Sequence, residues 1–137
     1  MEESKEEITL PLVHVLISEK FFWGKVEGAL MGLERTPRPP DWEEDVKAQI
    51  LANPGVALVA DLEEERLDVL GLIAELRCQP GFEEMPMLGY CSHDQTELHL
   101  AAAGLGVEVI PRSTFAAALV RALGELKAAE VDNIEEE

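Results

Sequence analysis

Four short apolar runs in this chain each end in residues able to do chemistry. Leu12 to Ile17 runs into Ser18 and Glu19, and Val56 to Ala60 runs into Asp61. Pro86 to Tyr90 runs into Cys91 and Ser92, and Val107 to Ile110 runs through Pro111 into Arg112. A carboxylate such as Asp61 can hold a cation or move a proton, and a Ser hydroxyl both donates and accepts. The Arg112 guanidinium can hold an oxyanion, or lower the pKa of a thiol such as Cys91 placed beside it. Three more carboxylates, Glu63, Glu64 and Glu65, follow Asp61 after Leu62. Each residue also has a purely structural reading. Asp61 would then be a strand-end turn residue or a helix cap, and Cys91 a small buried side chain.

The elements that must position these residues are legible from apolar periodicity. Near-continuous apolar runs read as strands buried on both faces, the habit of parallel sheets. Between them lie helical patterns. Phe22, Val26, Ala29, Leu30 and Leu33 recur at steps of three and four. Gly24, Gly28 and Gly32 share one face of that helix, an arrangement expected to allow close packing on the sheet. Thr36-Pro37-Arg38-Pro39-Pro40 stops it. Asp41, with Glu44 three residues on, predicts the start of a second helix carrying Val46 and Ile50. A third follows through Val69, Leu70, Ile73 and Leu76, and a fourth through Glu97 to Ala103, ended by Gly104-Leu105-Gly106. Phe115, Ala118, Leu119, Ala122, Leu123 and Leu126 form the most regular helical stripe. Strands alternating with helices imply a parallel sheet covered on both faces, with ligands meeting the carboxyl ends of the strands.

The 137 residues suit one domain, read as an acidic lead-in over 1–10, a folded unit over 11–129 and an acidic tail over 130–137. Acidic residues outnumber basic ones 28 to 11, a formal charge of −17. That argues against nucleic acid and against an anionic membrane surface as partners. No apolar run approaches the roughly 20 residues of a membrane helix, and MEESKEEITL is not a signal peptide. A cytoplasmic protein is expected. Two cysteines do not make a disulfide scaffold.

Several enzyme signatures are absent. No GxGxxG follows the first strand and no GxxxxGK[ST] occurs, so neither a nucleotide nor a flavin has a phosphate loop. No GxSxG elbow is present. His14, His93 and His99 do not pair with Cys at zinc spacings. His14, inside an apolar strand, reads as a core histidine with a satisfied ring. A small enzyme using Asp61, Ser92 and Arg112 on a phosphorylated ligand is a weaker reading, because no nucleophile–base pair is visible.

Taken in order, the strand-end residues resemble the receiver domain of two-component response regulators, over about Leu12 to Leu126. Ser18-Glu19 falls at the family's acidic pair, Asp61 at its phosphoacceptor and Arg112 at its Lys. Cys91 falls at its Thr/Ser position, with Ser92 next. Asp61 to Arg77 matches the stretch Asp-Leu-x-x-Pro…Leu-Arg without a gap, with Glu65 in place of Pro. Ala101 to Gly106 resembles the helix end Ala-x-x-Ala-Gly-Ala, and Val109 to Phe115 the strand-Lys-Pro-Phe ending. The resemblance implies a flavodoxin-like, doubly wound α/β fold of sheet order 2-1-3-4-5. No apolar strand lies between Leu33 and Asp41, so strand two is expected to be short, irregular or missing.

The departures carry physical consequences. Ser18 removes one carboxylate from the pair that would hold Mg²⁺, leaving Glu19 and Asp61 as weak ligands or no cofactor at all. Glu63 to Glu65 add negative charge beside Asp61, which opposes an incoming phosphoryl group. Cys91 is a poor donor to a phosphoryl oxygen, and a guanidinium is not an ammonium. The expectation is a stand-alone pseudo-receiver, a non-enzymatic signalling module with impaired or absent aspartyl phosphorylation. A phosphorylatable receiver using Asp61 is the alternative. Partners implied are a histidine kinase, a separate output protein or a weak homodimer. The family's docking face maps to the fourth helix, fifth strand and fifth helix, here with Ala116, Ala117, Val120, Arg121 and Lys127 on the outward side of the last helix.

Overall fold

The computed structural model describes residues 10–135, with side chains to residue 128. Residues 1–9 of the acidic lead-in over 1–10, and residues 136–137, lie outside the described residues. The element order is β1 (Leu12–Leu16), α1 (Lys20–Gly32), β2 (Thr36–Arg38), α2 (Val46–Ala52), β3 (Ala57–Asp61), α3 (Val69–Arg77), β4 (Met87–Cys91), α4 (Thr96–Gly104), β5 (Glu108–Pro111) and α5 (Arg112–Glu135). All neighbouring strands pair parallel, in the order β2-β1-β3-β4-β5. The expected doubly wound sheet is therefore present.

Its three central strands are apolar on both faces because both faces are covered. On one side α1 contributes Phe22, Val26 and Leu30, and α5 contributes Phe115, Leu119, Ala122, Leu123 and Leu126. On the other, α2, α3 and α4 contribute Val46, Ile50, Val69, Leu72, Ile73, Leu76 and Ala102. Gly89 in β4 belongs to this second side. A Cβ there would meet the Leu62 side chain at 2.9 Å, so Leu62 seats directly on the strand.

β2 exists but is three residues long, with Pro37 opposite Val13. An edge strand tolerates a proline because one side of its backbone needs no partner. α2 starts later than Asp41. Asp45 is its N-cap, its carboxylate accepting from the Ala48 N–H at 3.1 Å. Asp41 instead closes a turn of its own, and the Gln49 amide clamps its backbone through two 2.9 Å hydrogen bonds. The glycines of α1 do not pack on the sheet. Gly24, Gly28 and Gly32 face outward with open space where a Cβ would be. Their face is opposite Phe22, Val26 and Leu30, which the helical period places inward.

His14 is buried in β1, with Nε2 donating to the Asn53 carbonyl at 2.6 Å. Burial pushes its pKa down, opposed by that hydrogen bond. At the amino end of the sheet, Arg77 gathers carbonyls from two turns. Its guanidinium donates to Phe82, Met85 and Leu105 at 2.8–2.9 Å. Among the described residues no helix is long and apolar enough to cross a membrane.

Candidate functional site

Parallel strands end together, so their carboxyl termini deliver the loop residues to one edge. A cavity of about 410 Å³ lies there, lined by Ser18, Glu19, Asp61, Ser92, Arg112 and the loop residues Glu63 to Arg66. Five residues expected from the strand ends thus meet. Cys91 does not join them. It is buried in the core beneath α2, α3 and α4, and burial raises its thiol pKa, followed by the Glu63, Asp61 and Asp94 charges. That corrects its expected place in the pocket and removes the redox reading, since a reactive thiol needs exposure and a lowered pKa.

Asp61 ends β3 and is only 6% exposed. Its Oδ1 accepts from the Glu63 N–H at 2.9 Å, and its Oδ2 lies 4.0 Å from the Arg112 guanidinium. Burial pushes its pKa up, against the Glu63 N–H and the Arg112 charge; Glu64 and Glu63 push it further the same way. Arg112 opens α5, immediately after β5. Its guanidinium lies 5.0 Å from the Phe22 ring and 5.7 Å from the Tyr90 ring. Phe22, Tyr90 and Phe115 form an aromatic stack with neighbouring centroids at 4.7 and 4.4 Å. An apolar platform thus sits under the cation.

Two residues singled out only as nearby charge prove to organise the site. The Glu64 carboxylate accepts from both the Ser18 N–H and the Ser18 hydroxyl at 2.8 Å. The Glu63 carboxylate accepts from the Ser92 N–H at 2.9 Å. The signal was three glutamates one residue beyond a strand-end Asp; what it lacked was their direction. Arg66, on the same loop, lies 5.2 Å from the Trp42 ring and 3.7 Å from the Glu43 carboxylate. Tyr90 was also missed. It is fully buried, its hydroxyl makes no hydrogen bond of good geometry although the Asp61 carboxylate lies close, and burial and the Asp61 charge drive its pKa well up.

A divalent cation here would meet Glu19 and Asp61 each already holding a backbone N–H. Such an ion takes several oxygens from converging carboxylates. Ser18 supplies a hydroxyl already bound to Glu64, and Glu19 turns its carboxylate to the Phe22 N–H at 3.0 Å as the N-cap of α1. Among the described residues no three His, Cys, Asp or Glu side chains are grouped to hold a metal.

On the last helix, Val120 is 68% exposed and Ala117 is exposed, while Ala116 packs partly against the core. Arg121 pairs with Glu125 within the helix at 3.1 Å. Lys127 turns away from that group. Its Nζ donates to the Leu33 carbonyl at 3.0 Å, tying α5 to the end of α1. On α4, Leu100 is 66% exposed, a residue the sequence reading did not single out.

No family model matches the sequence, and no curated protein matches it. Solved structures do. A response-regulator candidate from Chloroflexus aurantiacus superposes with a TM-score of 0.74 at 18% identity, covering 88% of this chain and 99% of that one. The chain has the receiver fold. The chemotaxis response regulator CheY4 of Vibrio cholerae gives a TM-score of 0.72 at 13% identity, over 86% of this chain and 99% of its own. NtrX from Brucella abortus gives 0.71 at 20% identity over 93% of this chain, which matches 30% of NtrX. In this fold, Asp61, Arg112, Ser18 and Ser92 stand together at the carboxyl ends of the strands.

Proposed function

We propose that this protein is a receiver-fold signalling module that works by protein contact, with aspartyl phosphorylation at Asp61 absent or strongly impaired. The observation that carries this reading is the state of the carboxylates around Asp61. Phosphoryl transfer to a carboxylate needs positive charge to offset the incoming oxygens. Around Asp61 the Glu19 carboxylate is spent on capping α1, Ser18 replaces an acid, and Glu63 and Glu64 face the same cavity. Arg112 is the nearby cation, 4.0 Å away.

The partner is a protein, with the α4–β5–α5 side as its contact. Exposed Leu100 and Val120 on either side of β5 support that choice. A histidine kinase, an output protein and a second copy are the candidates.

Incubation with acetyl phosphate and Mg²⁺, followed by intact mass, tests the reading. No mass gain of a phosphoryl group is expected. A gain that disappears in Asp61→Asn would instead establish a working phosphoacceptor.

A further inference from the structure

The backbone N–H groups of Ser18 and Ser92, the Ser18 hydroxyl and the Arg112 guanidinium all border one cavity. Fixed N–H and O–H donors beside a cation are how proteins hold oxyanions. Here the donors are already engaged, and by the chain itself. Glu64 takes both Ser18 donors after β1, across 46 residues, and Glu63 takes the Ser92 donor after β4, across 29. Both glutamates belong to the loop after β3, so that loop is fastened to the strand on either side of its own. The Glu63 N–H also holds Asp61 Oδ1 at 2.9 Å, which fixes the loop at its root.

We propose that Glu63 and Glu64 are an internal oxyanion latch. Their carboxylates occupy the donors that an external oxyanion would use and keep the loop after β3 closed over Asp61. This rests on the reading of the site as a receiver site that works without phosphorylation, and it names what regulates that site. Occupancy is intramolecular, so an external anion meets both a filled seat and like charge. Removing the two carboxylates frees three donors and leaves Arg112 facing Asp61 with two fewer negative neighbours.

The test uses the full chain in four forms: wild type, Glu63→Ala/Glu64→Ala, Glu63→Gln/Glu64→Gln and Glu65→Ala. Glu65 lines the same cavity without closing on a strand-end N–H, so its variant removes charge but no staple. Amide hydrogen exchange at Ser18 and Ser92 is read first. It should rise at least about tenfold in the double Ala variant and stay at the wild-type rate in Glu65→Ala. The double Gln variant keeps an acceptor oxygen on each side chain and should fall between, which also guards against simple loss of fold. Inorganic phosphate is then titrated while the same two amides are followed by NMR. The double Ala variant should bind at least about tenfold more tightly than wild type. Unchanged exchange in both double variants, or equal phosphate binding by wild type and the double Ala variant, overturns the latch. Phosphorylation of wild-type Asp61 would overturn the proposed function alone, because the staples are read without a phosphodonor.

Discussion

The rings of Tyr90 and Phe115 pack with centroids 4.4 Å apart, and the Tyr90 hydroxyl beyond them is buried without a well-formed hydrogen bond. A buried hydroxyl left unpaired costs free energy that a phenyl ring does not. Tyr90→Phe should therefore leave the stability unchanged or raise it by up to about 1 kcal/mol. Urea unfolding checks this. A loss above about 1 kcal/mol would mean that the hydroxyl has a partner in solution.

Arg77 is a second place where few atoms carry much of the fold. It holds carbonyls of the α3–β4 connection, Phe82 and Met85, and of the α4–β5 turn, Leu105. Arg77→Met keeps the stem but strands those acceptors, and should cost about 2–4 kcal/mol. Arg77→Lys should fall between, because an ammonium cannot reproduce the planar fork. Thermal and urea midpoints would show the order wild type, Lys, Met.

His14 gives a pH dependence whose sign follows from its burial. Its folded-state pKa lies below the unfolded value near 6.5. Below that value the unfolded chain takes up a proton that the folded one refuses, so stability is full above about pH 6.5 and falls with acidification toward the folded pKa. Arg38 on β2 reinforces the refusal. In His14→Val this slope should disappear, while stability at pH 7.5 drops because the Asn53 carbonyl loses its donor. Unfolding at pH 7.5 and 5.5 separates the two effects.

Val120 tests the contact face. It is 68% exposed and touches no core, so Val120→Glu should change stability by less than about 0.5 kcal/mol. Sedimentation at several concentrations should show weak association in wild type and none in the variant. If both are monomeric throughout, the second copy is excluded as partner, and a heterologous protein remains to be captured with the same variant as control.

Much of the fold was legible because a parallel sheet buried on both faces writes its strands as unbroken apolar runs. The same property hid the site's details. In a strand apolar on both sides, alternation does not say which side chain faces which helix layer, so Cys91 was expected in the pocket and lies in the core, and the buried Tyr90 beside it was not singled out. Direction was likewise missing for Glu63 and Glu64, whose staples join residues far apart in sequence. Asp41 and Asp45 are both good caps; Asp45 caps through the Ala48 N–H, while Asp41 is held in its own turn by Gln49. The glycines of α1 were expected on the sheet and face outward, although the helical wheel already sets them opposite Phe22, Val26 and Leu30.

Those glycines have a consequence for motion. Gly24 and Gly28 each leave the interior of α1 about 1 kcal/mol short of what Ala would give, and at all three glycines a Cβ would meet only open space. α1 is thus a helix of low intrinsic cohesion, held mainly by its inner apolar row, its Glu19 cap and the Lys127 tie at its far end. Its outer turns should open more readily than α5, on the timescale that amide exchange reads. Because Glu19 lines the Asp61 cavity and caps the first turn of α1 through the Phe22 N–H, an opening that reaches that turn should also loosen the cavity's wall.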